Sequence, residues 1–233
     1  MNKKNNRNMV LGGIIRLDRE LDRLLGWSML FSCLQVAARI CYTGRSSYYF
    51  LVWNLFLAWI PYLMTAHGRT RSCRTGTLAW FILYFLGWLF CIPNAFYIIT
   101  DLFHLSDFYS DNAAPAWYDL VMILSFAWNG LILGFLSVHQ MQRIIRRRWP
   151  AARESYFLYP VMGLNALGIY TGRYLRFNSW DVLMNPFKLM ANLTSILLHP
   201  LAYRNAWGMM LSFSVLLTLI YLMLQKIGRA MPG

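Results

Sequence analysis

Asp101 and His104 close an apolar stretch that runs from Pro93 and would otherwise suit lipid. Ionisable side chains at membrane depth are costly, usually face protein or a water-filled cavity, and are therefore functional candidates. Three residues apart on a helix, the two project from one face, as do Arg173 and Arg176 further along. An arginine fork matches a phosphate or carboxylate bidentately. Arg173 and Arg176 are thus candidates to hold a lipid or polyprenyl phosphate headgroup, with Asn178, Asp181, Arg39 and Asn94 as further binding residues. Asp101, His104 and Asp119 are the candidate acid/base groups beside them.

Other chemistries use the same side chains. Asp101, His104 and Asp119, with His199, could supply oxygen and nitrogen ligands to a water-activating metal. No paired-histidine motif of the HExxH kind accompanies them, so a metal is not assigned. An Asp/His/Arg relay in a small ion- or proton-coupled transporter is a further reading, helped by Pro61 and Pro93 inside apolar spans. The plainest reading is a noncatalytic scaffold in which Arg39, Arg173 and Arg176 pair with Asp101, Asp119 and Asp181 to lock helices together. Nothing in these residues identifies a cofactor, and they leave enzyme, transporter and scaffold all open.

The elements that must position these residues are membrane helices. The chain is 58% hydrophobic and only 13% charged, and its apolar residues come in blocks near twenty long, the length a bilayer-spanning helix requires. Six blocks stand out, at Leu24–Tyr42, Tyr48–Ala66, Leu78–Thr100, Ala116–Gln140, Tyr156–Gly172 and Trp207–Leu224. They predict an all-α polytopic bundle of six transmembrane helices in one integral-membrane domain, residues 1–233. Trp27, Trp80, Trp117, Trp149, Trp180 and Trp207 fall near the block ends, where indoles sit at headgroup level. Arg39, Asp101, His104, Asp119, Arg173 and Arg176 all lie at block ends on one side of the membrane.

Charge gives that side a direction. The net charge is +13. All but six of the 22 basic residues fall in stretches that are cytoplasmic if the N-terminus is inside, and the six are Arg39, Arg45, Arg173, Arg176, Lys188 and Arg204. The positive-inside rule then places both termini in the cytoplasm and the Asp/His/Arg set at the outer face. Arg146, Arg147 and Arg148 fix orientation and meet anionic lipid; membrane lipid, and no nucleic acid, is the partner this distribution implies. Residues 1–23 lack a cleavage site, and their apolar positions recur at helical spacing, which predicts an interfacial helix on the inner surface. Residues 24–227 form the bundle.

Residues 182–203 are apolar but hold Pro186, Lys188, His199 and Pro200, so an outer interfacial or re-entrant helix fits better than a seventh span. Gly130 with Gly134, and Gly168 with Gly172, are small-xxx-small pairs that predict contact between the fourth and fifth spans. Asn54, Asn129 and Asn165 read as interhelical hydrogen-bonding amides. The four cysteines show no metal-ligand spacing, with Cys41 and Cys91 placed where a bridge is conceivable.

Asn54 to Tyr62, Pro93 to His104, Trp117-Tyr118-Asp119 and Gly172 to Asp181 together resemble a bacterial integral-membrane family, the domain-of-unknown-function family 1361. The resemblance implies a small multi-pass protein of the bacterial inner membrane. It carries over no activity and no catalytic residue.

Overall fold

Lipid offers a backbone no hydrogen-bond partners, so apolar runs of this length must satisfy themselves as helices. The computed structural model describes residues 3–68, 77–110, 114–151, 153–175 and 186–230, and these are helical with no strand among them. In chain order the α-helices are α1 Lys3–Thr43, α2 Tyr49–Gly68, α3 Leu78–Tyr97, α4 Ala116–Arg148, α5 Glu154–Arg173, α6 Pro186–Leu198 and α7 Arg204–Ala230. A 3₁₀ helix, Ile98–Ser110, follows α3 directly. Arg176, Asn178 and Asp181 lie outside the described residues, as does Cys73. Cys33, Cys41 and Cys91 are free thiols, so the conceivable Cys41–Cys91 bridge is absent.

Among the described residues five helical stretches are long and apolar enough to cross a membrane: 20–43, 49–67, 78–105, 116–148 and 204–228. The expected six spans are therefore five by length and composition. The one that drops out is α5, whose Glu154, Asn165, Thr171 and several tyrosines dilute its apolar content. Yet α5 has 20 residues, about 30 Å of helix, and its ends meet opposite ends of the bundle. Glu154 pairs with Arg146 at one end, and Arg173 meets His104 at the other. The expected N-terminal helix of residues 1–23 leads directly into the first span, α1 continuing through Arg23 and Leu24 without a break. α6 has 13 residues, about 20 Å, too short for a span. It folds back onto α7, with the Trp207 indole donating to the Ile196 carbonyl at 3.0 Å.

α4 is the most buried of the spans and packs against α1, α2, α3 and the 3₁₀ helix. α3 in turn packs on α5, and α5 on α7. A polar node ties three helices at mid-depth. Ser137 of α4 donates to the Pro61 carbonyl of α2 at 2.8 Å, and the Trp88 indole of α3 donates to the Ser137 hydroxyl at 2.8 Å. Both Pro61 and Pro93 lie inside their helices.

The glycine pairs do not bring α4 and α5 together, as the sequence had led us to expect. Both face α3 instead, from two sides. A Cβ on Gly130 would fall 2.7 Å from the Ala95 carbonyl oxygen, and one on Gly134 2.8 Å from the Phe96 ring. On the other side, a Cβ on Gly168 would fall 2.5 Å from Cβ of Pro93, and one on Gly172 3.0 Å from the Tyr97 ring. Small residues here allow backbone approach where apolar burial gives no drive between helices in lipid.

Substitution should expose this packing. Gly168→Ala and Gly130→Ala are each expected to destabilise by about 1–3 kcal/mol, since rigid neighbours must move. Gly163→Ala, whose Cβ meets nothing within 4 Å, should gain up to ~1 kcal/mol from helix propensity. Thermal unfolding in detergent checks the contrast, and equal responses at Gly163 and Gly168 would remove the packing explanation.

Candidate functional site

The 3₁₀ helix explains why Asp101 and His104 act together. With three residues per turn, side chains at i and i+3 eclipse, so the buried Ile98 and Asp101 and the half-buried His104 stack along one edge. Runs of this geometry longer than three or four residues are uncommon; this one spans 13. Its entry is fixed by the Thr100 hydroxyl, which donates to the Tyr97 carbonyl at 2.8 Å, and by Ile98 seated against Gly130.

Asp101 is only 1% exposed. The Asn54 amide of α2 donates to its Oδ2 at 2.9 Å, and His104 and Arg173 both lie within Coulombic reach of the carboxylate. Arg173, the last residue of α5, places Nη1 3.1 Å from His104 Nε2. A guanidinium only donates, so in this contact Nε2 is the acceptor, which requires the tautomer that carries its proton on Nδ1. The Arg173 guanidinium also lies 5.3 Å from the centre of the Phe103 ring, a cation–π arrangement. Among the described residues no carboxylate stands at ion-pair distance from Arg173.

Arg39 and Asp119 form a different kind of contact. Arg39 Nε donates to Oδ1 at 2.6 Å and Nη2 to Oδ2 at 3.1 Å, a bidentate pair with the residues 5% and 2% exposed. The guanidinium rests 4.0 Å from the centre of the Tyr48 ring, and the Tyr48 hydroxyl stands 3.4 Å from Asp119 Oδ2. This joins the end of α1 to the start of α4 across the start of α2. Two further polar contacts follow the α1–α4 seam. Tyr118 donates to the Gln35 carbonyl at 2.7 Å, and the Asn129 amide donates to the Ser32 hydroxyl at 3.0 Å.

The predicted set is therefore two clusters at one end of the bundle, joined through an aromatic bridge. Phe50 stacks on Tyr48 at 6.3 Å and meets the His104 ring edge-on at 5.3 Å. Asp119 is committed to Arg39 instead of standing beside Asp101 as an acid/base partner. Asn94 bonds locally to the Cys91 carbonyl at 3.1 Å. His199 is exposed in the turn between α6 and α7. No three His, Cys, Asp or Glu among the described residues group closely enough to hold a metal, which removes the Asp101–His104–Asp119–His199 ligand set as proposed from sequence. Tyr48, Phe50, Phe103 and Asn54 were not foreseen as site residues. Of these only Asn54 carried a signal, as an amide inside an apolar span.

Residues 53–220 match the family model described as "Protein of unknown function (DUF1361)". The chain belongs to this family. The match takes in Asp101, His104, Asp119 and Arg173 but stops short of Arg39. No curated protein and no solved structure is recognisably similar to it. The family description assigns no function, so the site must be read from its own geometry.

Breaking the Arg39–Asp119 pair from one side strands a buried charge, which costs about 3–5 kcal/mol, while an apolar replacement of both is close to neutral. Asp119→Ala should thus unfold far more readily than Arg39→Met/Asp119→Leu. Unfolding temperatures of the two variants in the same detergent test this, and parity between them would show that the pair is not the lock.

Proposed function

We propose that the protein is a multi-pass protein of the bacterial inner membrane, N-terminus inside, that binds the phosphate of a lipid-linked headgroup through its Asp101–His104–Arg173 cluster at the outer face. The observation that carries this reading is Arg173. Its charge lacks a carboxylate at ion-pair distance among the described residues, whereas Arg39 has a bidentate one. A guanidinium has five donors in a planar fork, and His104 engages one nitrogen. Asp101 attracts the cation without bonding it, so the remaining donors stay available to phosphate oxygens. Arg176, Asn178 and Asp181, the next polar residues in the chain, extend the same proposal.

Binding is favoured over proton transfer. The His104 lone pair at Nε2 is held by Arg173, so the imidazole serves first to orient the guanidinium. A catalytic role for Asp101 or His104 would require that contact to open. The scaffold reading keeps one specific support, the saturated Arg39–Asp119 pair, which needs no ligand to account for it.

Native mass spectrometry of the detergent-purified protein with added phosphatidylglycerol tests the proposal. Arg173→Gln is expected to weaken retention of one phosphate-bearing lipid by about tenfold, the scale of one charged hydrogen-bonded contact, with the unfolding temperature near that of the wild type. Unchanged lipid retention in a folded Arg173→Gln protein would hand the cluster to the scaffold reading.

A further inference from the structure

The opposite end of the bundle holds an open cavity of about 620 Å³ lined by α4 and α7, with Leu21 of α1 and Glu154 of α5 at its edges, within the size range of small-molecule sites. One face of α4 lines it and grades along its length. Ile132, Phe135 and Leu136 come first, His139 follows a turn later, and Gln142, Arg143 and Arg146 complete the stripe. These positions share a face because they recur at helical spacing. α7 repeats the device with Tyr221, Leu224, Gln225 and Gly228. The cavity is thus apolar toward the bundle interior and cationic toward the helix ends.

A second observation points to an anionic occupant. The Tyr221 hydroxyl donates to Gln142 Oε1, with His139 Nδ1 3.4 Å from the same hydroxyl. Gln142 is 7% exposed, and its Nε2 has no hydrogen-bond partner. A buried N–H donor without an acceptor is costly, and a turn of this side chain toward the cavity would offer it to an oxyanion there. Among the described residues the one carboxylate on the wall is Glu154, occupied by Arg146 at 2.6 Å and by the Gln225 amide at 3.2 Å. Arg143 has no ion-pair partner among the described residues.

We infer that this cavity is a second site, for the phosphate headgroup and upper acyl chain of an anionic phospholipid entering from the leaflet at the Arg146 end. Arg143 and the Gln142 amide meet the phosphate, and Leu136, Ile132 and Leu224 cover the chain. Basic pockets between membrane helices bind phospholipid headgroups in this manner. The site uses none of the residues of the Asp101 cluster.

Native mass spectra of the full-length protein with phosphatidylglycerol, against phosphatidylcholine, read the number of lipids retained. Arg143→Gln should weaken one retained phosphatidylglycerol by about tenfold. Gly228→Trp should remove the same lipid by filling the cavity, because a Cβ there meets nothing within 4 Å and the fold has room for it. Arg147→Gln removes an equal charge from the same helix end without touching the wall, and should retain the lipid. The inference is overturned if Arg147→Gln loses as much as Arg143→Gln while Gly228→Trp loses nothing, which is the signature of general surface charge. It is also overturned if inorganic phosphate alone displaces the lipid at matched concentration, because the apolar wall would then contribute nothing. Arg173→Gln should leave this lipid bound, so the two sites stand or fall separately.

Discussion

The approach of two helices to the backbone of α3 is the constraint on which the rest of the bundle depends. Lipid gives no apolar incentive for helices to associate, so they are held by shape and by the polar groups they share. Gly130 and Gly134 admit Ala95, Phe96 and Ile98 from one side, and Gly168 and Gly172 admit Pro93 and Tyr97 from the other. Four positions of α3, Pro93, Ala95, Phe96 and Tyr97, and the first residue after it are thereby each held from one flank or the other. The polar node of Ser137, Trp88 and Pro61 holds the same helix closer to its other end.

This grip places the candidate site. Ile98, seated on Gly130, begins the 3₁₀ helix that carries Asp101 and His104 along one edge. Gly172 lets α5 reach the Tyr97 ring, and the next residue in the chain is Arg173, which meets His104. The pairing across 69 residues thus rests on a glycine beside an arginine at one end and on the three-residue turn of the 3₁₀ helix at the other. The Arg39–Asp119 pair is held by other means, a buried fork under the Tyr48 ring. The two guanidiniums at this end consequently differ in how fully they are satisfied, although each is one arginine near a span end.

How much of this could be read from the sequence depends on the range of the interaction. The apolar runs declared the helices, and charges at their ends declared which residues share one end of the bundle, because both signals are local. Depth alone could not say which acid pairs with which base, so Asp101 and Asp119 read as equivalent until packing separated them. The glycine pairs announced close approach but not the partner, since small-xxx-small spacing is silent about the facing helix. α5 was legible as a helix but blurred as a span, its polarity diluting the hydropathy that its length satisfies. The cavity at the Arg146 end was hidden for a related reason. His139, Gln142, Arg143 and Arg146 read as an ordinary basic helix end, and the orphaned Gln142 amide appears only when Tyr221, 79 residues away, takes its other atom.

The polarity of α5 acquires a meaning from where its ends lie. A helix with one face buried among apolar neighbours, with Glu154 bound to Arg146 and Gln225 and with Arg173 bound to His104, is tied at both ends of the bundle by charged or polar contacts. Its mid-length contacts to α3 are glycine faces that tolerate little displacement sideways. Translation along its axis would stretch both end contacts together, and rotation would drive Gly168 and Gly172 off Pro93 and Tyr97. α5 therefore acts as a strut whose position is set by the Arg173–His104 contact at one end and by the Glu154–Arg146 pair at the other.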